Sequence, residues 1–253
     1  MIDVAIDAAK QAGELALRYF KTQNSASWRI SYKANSSPVT RADIEAEKLI
    51  RKIISKKFPD HGIIGEELPP VNPKAKHQWV IDPIDGTRDF IRNIPNWAVY
   101  VALLKDKRPI SSVIFFPTMG TLITAEKNKG TFLNGKRTKV SKTKDLEKAY
   151  VSVGGLKKFS QMDNSKTLTK IFQSVSATRS YADLGLIYLL EGKIDVAIEP
   201  YGFIHDYAPE ALLVEEAGGK FTDFKGNFSL TSLTAVKSNG LLHSQVLKLL
   251  NEQ

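Results

Sequence analysis

Apolar residues recur every three or four positions in two stretches near the N-terminus, which is the spacing of one face of an α-helix. The stretches Asp3 to Lys21 and Asp43 to Phe58 are therefore predicted to be amphipathic helices. The polar residues between them, Asn24 to Pro38, are predicted to form a loop. The chain thus begins with two helices that each have one side to bury.

Short apolar runs separated by turn residues replace this pattern in the rest of the first half. A strand is predicted at Gln78 to Ile81, and three more at Trp97 to Leu104, Ile110 to Phe116 and Thr121 to Glu126. Because the turns between the last three are short, these strands should be antiparallel neighbours. The first half is therefore predicted to have an α+β arrangement.

The second half alternates between strand and helix patterns. Strands are predicted at 149–153, 194–198 and 220–224, and helices at 163–173, 182–191, 207–217 and 241–251. Such alternation is typical of a layered α/β arrangement. We expect two lobes of one compact unit, residues 1–146 and 147–253, with the boundary near Leu146.

Composition narrows the class of protein. The 253 residues are 42% hydrophobic and contain no Cys, which excludes disulfides and thiolate metal sites. The net charge is +9, but the Lys residues are scattered without interleaved aromatic residues, so they predict a solvated surface rather than a nucleic-acid interface. No apolar run approaches the roughly 18–20 residues of a membrane span, and we expect a cytoplasmic protein.

The segment 82–87, Asp-Pro-Ile-Asp-Gly-Thr, carries the most specific chemistry in the chain. Asp82 and Asp85 follow an apolar strand, and two fixed carboxylates repel each other unless a cation or protons lie between them. Hard cations such as Mg²⁺ prefer oxygen ligands. Gly86 and Thr87 begin a short predicted helical turn, where backbone N–H groups favour an anion. The segment therefore indicates a phosphate ester held between Mg²⁺ and the protein.

Three further acidic positions stand at the ends of predicted elements. Asp43 begins the second helix, Glu66 with Glu67 follows a short strand, and Asp206 precedes the helix at 207–217. Two of the three have an ordinary alternative explanation. Asp43 could be only a helix cap, and Glu66 with Glu67 could be a solvated turn.

Together these motifs resemble the signatures of the inositol monophosphatase superfamily over nearly the whole chain. The matching segments are 65–67, Gly-Glu-Glu, the segment 82–87, and Asp206 followed by 215–219, Glu-Glu-Ala-Gly-Gly. The resemblance implies a layered αβαβα sandwich of the sugar-phosphatase type. It also implies a homodimer with two or three Mg²⁺ ions that hydrolyses the phosphate monoester of a small metabolite.

The resemblance also implies residue roles. The implied metal ligands are four acidic side chains and one peptide carbonyl, those of Glu66, Asp82, Ile84, Asp85 and Asp206. Glu66, Asp82 and Ile84 would hold one ion, and Asp82, Asp85 and Asp206 another. Asp43 and Thr87, with Glu66 nearby, would orient and deprotonate the attacking water, and the amides of Gly86 and Thr87 would grip the phosphate. Glu199 would contact substrate hydroxyl groups.

The chain departs from the common family pattern at two places, and the first concerns the substrate. Arg179 and Asp183 resemble the Arg-x-x-x-Asp of the histidinol-phosphate phosphatase branch, as does Arg88 after Thr87. Asp183 could meet an ammonium group, or Arg179 could pair with Asp183 and build the wall of the site. His205 stands where the family usually has Trp. It could be a metal ligand, but we favour a role in packing or in supporting Asp206, because Mg²⁺ prefers oxygen.

The substrate therefore stays open at this point. Histidinol phosphate and inositol phosphate are the leading alternatives, and fructose 1,6-bisphosphate or a nucleotide bisphosphate are others. A further alternative is a regulatory family member that binds RNA or the transcription machinery. Because every implied metal-ligand position is filled, we favour the enzyme and do not expect nucleic-acid binding.

Overall fold

The structure is a computed structural model that describes residues 1–22, 28–34, 36–162 and 165–252. The chain divides into two compact units. Unit 1 comprises Met1–Lys127 and Phe132–Lys136, and unit 2 comprises Asn128–Thr131 and Arg137–Gln253. The lobe ranges expected from the sequence, 1–146 and 147–253, stay a prediction.

The helices of the described residues include every helix predicted from the periodic patterns, together with one short helix at Leu156–Gln161 that was not predicted. They are α1 Ile2–Thr22, α2 Arg41–Lys57, α3 Thr87–Phe90, α4 Leu156–Gln161, α5 Ser165–Ser174, α6 Leu184–Leu190, α7 Ile204–Glu216 and α8 His243–Asn251. A single 3₁₀ turn in the described chain covers Leu146–Lys148. None of the described helices is long and apolar enough to cross a membrane.

The strands form one short hairpin and two larger sheets in the part of the chain that the structure describes. They are β1 Ser31–Tyr32, β2 Pro38–Val39, β3 Gly62–Gly65, β4 His77–Asp85, β5 Ala98–Lys105, β6 Arg108–Phe116, β7 Thr121–Glu126, β8 Gly130–Leu133, β9 Lys136–Thr138, β10 Tyr150–Val153, β11 Ala177–Arg179, β12 Val196–Glu199, β13 Lys220–Thr222 and β14 Ala235–Ser238. The hairpin β1–β2 lies in the stretch predicted as a loop, of which residues 24–27 and 35 are outside the described residues.

Unit 1 is built on strands β3 to β7, which are adjacent in that order. The pairs β5–β6 and β6–β7 are antiparallel, as predicted, and the pair β4–β5 is antiparallel as well. Helices α1 and α2 pack together and against this sheet. The buried face of α1 is lined by Ala5, Ala8, Ala9 and Ala12, whose small side chains let the helix approach its neighbours closely.

The predicted end of β4 at Ile81 is wrong, because the strand continues to Asp85. Asp82 lies opposite Tyr100 and Asp85 opposite Ala98, so β4 has one residue more than β5 between these pairs. Such a bulge interrupts the ladder of backbone hydrogen bonds, and it can therefore accommodate Pro83, which has no N–H to donate.

Unit 2 contains a five-stranded sheet in the order β11-β10-β12-β14-β13. Strands β10, β11 and β12 are parallel, whereas β14 is antiparallel to β12 and β13. One face of the sheet packs apolar residues such as Val196, Ile198 and Val236 against Phe159 and Val246. Helices α6 and α7 contact the same sheet, and the alternating pattern of the second half is confirmed.

Several elements of unit 2 differ from the sequence predictions. Strands β11 and β14 were not predicted, because both are short and β14 carries Lys237 near its centre. Helix α7 begins at Ile204 and not at Tyr207, so Asp206 lies inside its first turn. The helix predicted at 163–173 starts on two residues outside the described chain, and α5 is described from Ser165.

Candidate active site

The bulge in β4 determines where the two aspartates of the motif point. In a regular strand, residues 82 and 85 would face opposite sides, because successive side chains alternate. The extra residue removes that conflict, and Asp82 and Asp85 offer carboxylate oxygens within 4.8 Å of each other. Asp82 is buried, and its Oδ1 accepts a hydrogen bond of 3.0 Å from the Ile84 amide. The backbone therefore fixes one carboxylate of the pair directly.

Glu66 is brought to the same place by the parallel pairing of β3 with β4. Gly65 lies opposite Ile81, and the Glu66 amide donates a 3.2 Å hydrogen bond to the Ile81 carbonyl. As a result, Glu66 and Asp82 offer carboxylate oxygens within 4.8 Å of each other. Three of the predicted ligands, Glu66, Asp82 and Asp85, thus lie in one part of unit 1.

A buried carboxylate, that of Glu47, shapes the turn that carries Glu66. Its oxygens accept hydrogen bonds from the amides of Glu67 and Leu68, at 2.7 and 3.2 Å. A Cβ at position 65 would lie 2.0 Å from Glu47 Oε1, so Gly65 allows the carboxylate to approach the backbone. The glycine of the Gly-Glu-Glu segment therefore has a packing function at this turn.

Lys33 is a residue of this site that the sequence reasoning missed. Its Nζ lies 2.6 Å from Glu66 Oε1 and 2.8 Å from Glu67 Oε1. Burial raises the pKa of the Glu67 carboxyl to about 7, and the neighbouring charge of Glu66 adds to this effect. The alternative of a solvated turn is wrong for Glu67, whose side chain is 4% exposed. Lys33 stands far from Glu66 in sequence, and no local signal marks it.

Asp43 is a helix cap and also a neighbour of Thr87. Its Oδ2 accepts a 2.8 Å hydrogen bond from the Thr40 amide, and its own amide donates a 3.4 Å hydrogen bond to Thr40 Oγ1, which forms a capping box. Its other oxygen, Oδ1, lies 3.2 Å from the hydroxyl of Thr87. Burial raises the pKa of the Asp43 carboxyl to about 6, although the hydrogen bonds from Thr40 oppose this effect.

The hydroxyl of Thr87 lies between two acceptors. Thr87 Oγ1 is 3.0 Å from the Ile84 carbonyl oxygen and 3.2 Å from Asp43 Oδ1. Gly86, directly before it, has φ +89°, a left-handed conformation that glycine adopts without strain. This conformation turns the chain from β4 into the short helix α3, and the predicted helical turn after Thr87 is confirmed.

In unit 2, Asp206 lies at the third position of α7. Its Oδ2 accepts a 2.7 Å hydrogen bond from the Phe203 amide, which caps the helix, and its Oδ1 is 3.5 Å from His205 Nε2. The ring of His205 packs against Phe203, with a centroid distance of 5.4 Å. His205 therefore contacts both the aspartate and the neighbouring aromatic ring.

The predicted substrate residues are also in unit 2. Glu199 ends β12, and its Oε1 lies 3.7 Å from the buried Lys237 ammonium. Arg179 is exposed, and its guanidinium donates a 2.7 Å hydrogen bond to the Thr178 carbonyl. Asp183 directly precedes α6 but does not cap it. Burial acts to lower the pKa of the Lys237 ammonium, but the negative charges of Glu210 and Glu199, and to a smaller extent that of Asp183, raise it.

The donor set of unit 1 fits a hard divalent cation. Glu66, Asp82 and Asp85 supply carboxylate oxygens, and Ile84 supplies a carbonyl oxygen one residue before Asp85. Oxygen-only donors of this kind suit Mg²⁺ or Ca²⁺ and do not suit a metal that prefers thiolates.

Comparison with known proteins agrees with this chemistry. The profile of the inositol monophosphatase family matches residues 1–253. A histidinol-phosphatase of Mycobacterium tuberculosis is 33% identical over 229 residues, covering 88% of this chain and 88% of that protein. A fructose-1,6-bisphosphatase/inositol-1-monophosphatase of Thermotoga maritima is 30% identical over 257 residues, covering 99% and 96% of the two chains.

Solved structures show the same fold. The crystal structure of the extragenic suppressor protein suhB from Bartonella henselae has a TM-score of 0.89 at 29% identity, covering 99% of this chain and 98% of that one. The layered arrangement of helices and sheets predicted from the sequence is confirmed by this likeness. The chain therefore belongs to the inositol monophosphatase family, which is metal-dependent, and is a phosphoric monoester hydrolase that acts on small phosphorylated substrates.

Proposed function

We propose that this enzyme uses Mg²⁺ and water to hydrolyse the phosphate monoester of a small metabolite that carries an amine, with histidinol phosphate as the leading candidate. The proposal that water is the nucleophile rests on the position of the Thr87 hydroxyl, which lies within hydrogen-bonding distance of Asp43 Oδ1 and of the Ile84 carbonyl. A hydroxyl that can donate to a carboxylate can accept a hydrogen bond from a water molecule at the same time.

Glu66, Asp82 and the carbonyl of Ile84 would hold one Mg²⁺ ion, and Asp82, Asp85 and Asp206 would hold a second. The family resemblance allows a third ion. When bound, such ions neutralise the charge of the phosphoryl group and lower the pKa of water. The oxygen-only donors of unit 1 and the bulge that gathers them support this assignment.

Asp43 and Thr87 would handle the proton of the attacking water. Thr87 Oγ1 would take a proton from the water as Asp43 Oδ1 takes the hydroxyl proton of Thr87, so that one proton in total passes from water to Asp43. Because burial raises the pKa of Asp43 to about 6, its carboxylate is a better proton acceptor than an exposed aspartate. Thr40 holds the other oxygen, so the carboxylate keeps its orientation.

The amides of Gly86 and Thr87 would bind the phosphate oxygens. Their support is the left-handed conformation of Gly86, which turns the chain sharply between β4 and α3, together with the family resemblance. The family resemblance assigns the alcohol portion of the ester to Arg179, Asp183 and Glu199.

Charge in unit 2 favours an amine-bearing ester. Asp183, Glu199 and Glu210 act electrostatically on Lys237, so three negative charges act on one ammonium. This excess of negative charge suits a cationic group better than a neutral polyol, and Asp183 and Arg179 match the pattern of the histidinol-phosphate phosphatase branch. Glu199 can also accept hydroxyl hydrogen bonds, which keeps an inositol phosphate as the second candidate.

A panel of phosphate esters tests this proposal. Phosphate release from histidinol phosphate, inositol 1-phosphate, fructose 1,6-bisphosphate and a nucleotide bisphosphate would be measured with Mg²⁺ and with excess EDTA. We expect Mg²⁺-dependent release with the highest kcat/KM for histidinol phosphate. Folded protein that releases phosphate from none of these esters would contradict the proposed function, and a preference for inositol 1-phosphate would contradict the proposed substrate.

We further expect a homodimer in the cytoplasm and no specific binding to nucleic acid. Light scattering after size exclusion measures the mass of the particle. An RNA mobility shift that persists at high salt would contradict the last expectation, because nonspecific binding by scattered Lys residues weakens steeply with salt.

A further inference from the structure

Lys237 and Glu199 lie on the same face of the sheet in unit 2. Lys237 of β14 is paired with Ala197 of β12, and paired residues of neighbouring strands point to the same side. Glu199 follows two residues after Ala197, so its side chain also points to that side. Glu210 of α7 reaches the same point, where both of its oxygens contact the Lys237 ammonium.

The ammonium of Lys237 is shared unequally between two carboxylates. Its Nζ lies 3.0 and 2.9 Å from the two oxygens of Glu210, and 3.7 Å from Glu199 Oε1. Burial acts to lower the pKa of Lys237, but the negative charges of Glu210 and Glu199 outweigh it and raise the pKa. Lys237 is therefore a charged group with a 4% exposed side chain, which is tolerated only because carboxylates surround it.

The second oxygen of Glu199 is located by a glycine. A Cβ at position 154 would lie 1.9 Å from Glu199 Oε2, so the carboxylate rests where a side chain at position 154 would begin. The Gly154 amide donates a 2.9 Å hydrogen bond to the Ile198 carbonyl, which keeps this backbone beside the end of β12. The φ of Gly154 is outside the left-handed region, so the close approach, and not the backbone conformation, requires glycine here.

We propose that Lys237 is a positioning residue that holds the Glu199 carboxylate against Gly154, so that Glu199 recognises the alcohol portion of the ester. This inference rests on the proposed function. A carboxylate only accepts hydrogen bonds, so the substrate class is a phosphate ester whose alcohol carries N–H or O–H donors near the phosphate. An ester without such donors cannot form hydrogen bonds with Glu199, so the position of Glu199 should not affect its binding.

A simpler role for Lys237 would be to balance the buried charge of Glu210 without any effect on Glu199. The double variant Lys237→Met/Glu210→Gln separates the two roles, because it removes the ammonium together with the negative charge of Glu210, the carboxylate closest to it. If Lys237 only balances Glu210, the double variant recovers both stability and substrate affinity. If Lys237 positions Glu199, stability recovers but affinity for the donor-bearing ester does not.

Gly154→Ala provides an independent variant in which Lys237 and Glu210 are intact. The added methyl group must displace the Glu199 carboxylate, because no side chain fits 1.9 Å from Oε2. Lys248→Met is the matched control for the lysine substitution, since Lys248 is an exposed lysine of the same unit.

The experiment compares two substrates with each variant: the best ester of the panel, and p-nitrophenyl phosphate, whose alcohol portion carries no donor. For Lys237→Met/Glu210→Gln and for Gly154→Ala, we expect KM for the panel ester to rise about tenfold, the value of one charge-assisted hydrogen bond, with kcat within about twofold. Neither variant should change kcat/KM for p-nitrophenyl phosphate, and Lys248→Met should change neither substrate. Urea unfolding of each variant accompanies the kinetics.

Wild-type KM for the panel ester in the two variants overturns the inference while leaving the phosphatase function intact. Equal losses on both substrates also overturn it, because they show a general structural effect. Wild-type protein that releases phosphate from no ester overturns the proposed function and this inference together, so the two failures are distinguishable.

Discussion

Each unit places a lysine between two glutamates, but in different surroundings. In unit 1, Lys33 bridges Glu66 and Glu67, and its side chain is 24% exposed. In unit 2, Lys237 contacts Glu210 and Glu199 with a side chain that is 4% exposed. Lys33 follows the short strand β1, whereas Lys237 lies within a sheet strand that is paired on both sides.

Because of this difference, another cation can displace the Lys33 ammonium from its carboxylates but cannot displace that of Lys237. A partly exposed ammonium can be rehydrated when a stronger cation competes for its carboxylates, whereas a buried ammonium cannot leave without exposing its partners to a medium that does not solvate them. Lys33 contacts Glu66, a proposed metal ligand. We therefore expect the acidic cluster of unit 1 to determine activity and the buried cluster of unit 2 to determine stability.

The largest expected effect is on activity in unit 1. Asp85→Asn should lower kcat/KM by about 10³-fold or more, or about 4 kcal/mol, because an amide cannot supply the anionic ligand for Mg²⁺. Stability should not fall, since the change also removes the repulsion between Asp82 and Asp85. Phosphate release and urea unfolding would be measured on the same preparation, with Asp106→Asn as an exposed control. Normal activity in Asp85→Asn would show that the metal assignment is wrong.

The converse result is expected for Lys237 in unit 2. Lys237→Met leaves the carboxylates of Glu210 and Glu199 without their buried partner and should lower the free energy of unfolding by about 3–5 kcal/mol. Urea denaturation monitored by circular dichroism measures this change. A loss below about 1 kcal/mol, the size expected of an exposed pair, would remove the distinction between the two lysines.

Removal of a single hydroxyl tests the proton path in unit 1. Thr87→Val should lower kcat by about 10²-fold, because the attacking water loses its acceptor next to Asp43. Thr87→Ser retains the oxygen and should recover most of the activity. If Val and Ser variants lose activity equally, the methyl packing of Thr87 matters rather than its hydroxyl.

His243 provides a pH test of the buried polar groups in unit 2. Burial lowers the pKa of His243 from 6.5 to about 4, and its ring nitrogens lie 2.8 Å from Ser238 Oγ and Thr222 Oγ1. Because the folded pKa is below the unfolded one, the unfolded chain takes up the proton first as the pH falls. The stabilisation is complete above about pH 6.5 and is lost toward about pH 4, by at most about 3 kcal/mol.

Urea unfolding at several pH values checks this dependence. The slope of stability against pH in that range should decrease in His243→Gln, which has no group that titrates there. An unchanged slope in the variant would assign the pH dependence to other groups.

The smallest effect is expected for Lys33. Lys33→Met should change the free energy of unfolding by less than about 1 kcal/mol, as is usual for partly exposed ion pairs. It should also lower the Mg²⁺ concentration for half-maximal activity by about fivefold, because a positive charge next to Glu66 is removed. Lys76→Met is the exposed control. A higher requirement for Mg²⁺ would mean that Lys33 assists metal binding instead of competing with it.

Local patterns predicted the helices α1 and α2 and the antiparallel strands β5 to β7, because each buries one regular face. The candidate metal and phosphate site at 82–87 could also be predicted, because two aspartates followed by Gly-Thr are residue types suited to bind a cation and an anion. The bulge was not predicted, although Pro83 within an apolar run signals an interrupted ladder. Side chains three residues apart face opposite sides of a regular strand. A shared role for Asp82 and Asp85 would therefore have indicated the bulge.

Long-range contacts account for what the sequence did not reveal. Lys33 reaches Glu66 only because the hairpin β1–β2 places it there, and its surroundings in sequence are ordinary and polar. Lys237 is a charged residue in a strand with few apolar neighbours, so hydrophobic patterning argued against both the strand and its burial. The partners of such residues are determined by sheet order, which a single sequence does not encode locally.

The capping box of α2 has a consequence for engineering this enzyme. Asp43 uses one oxygen to hold the first turn of a 17-residue helix and directs the other at Thr87. Directed evolution for heat resistance that changes this turn would therefore also alter the proposed proton acceptor. Substitutions that are meant to raise the thermal stability are better made at Arg41, on the exposed side of that turn, because a change there does not affect the proposed proton acceptor.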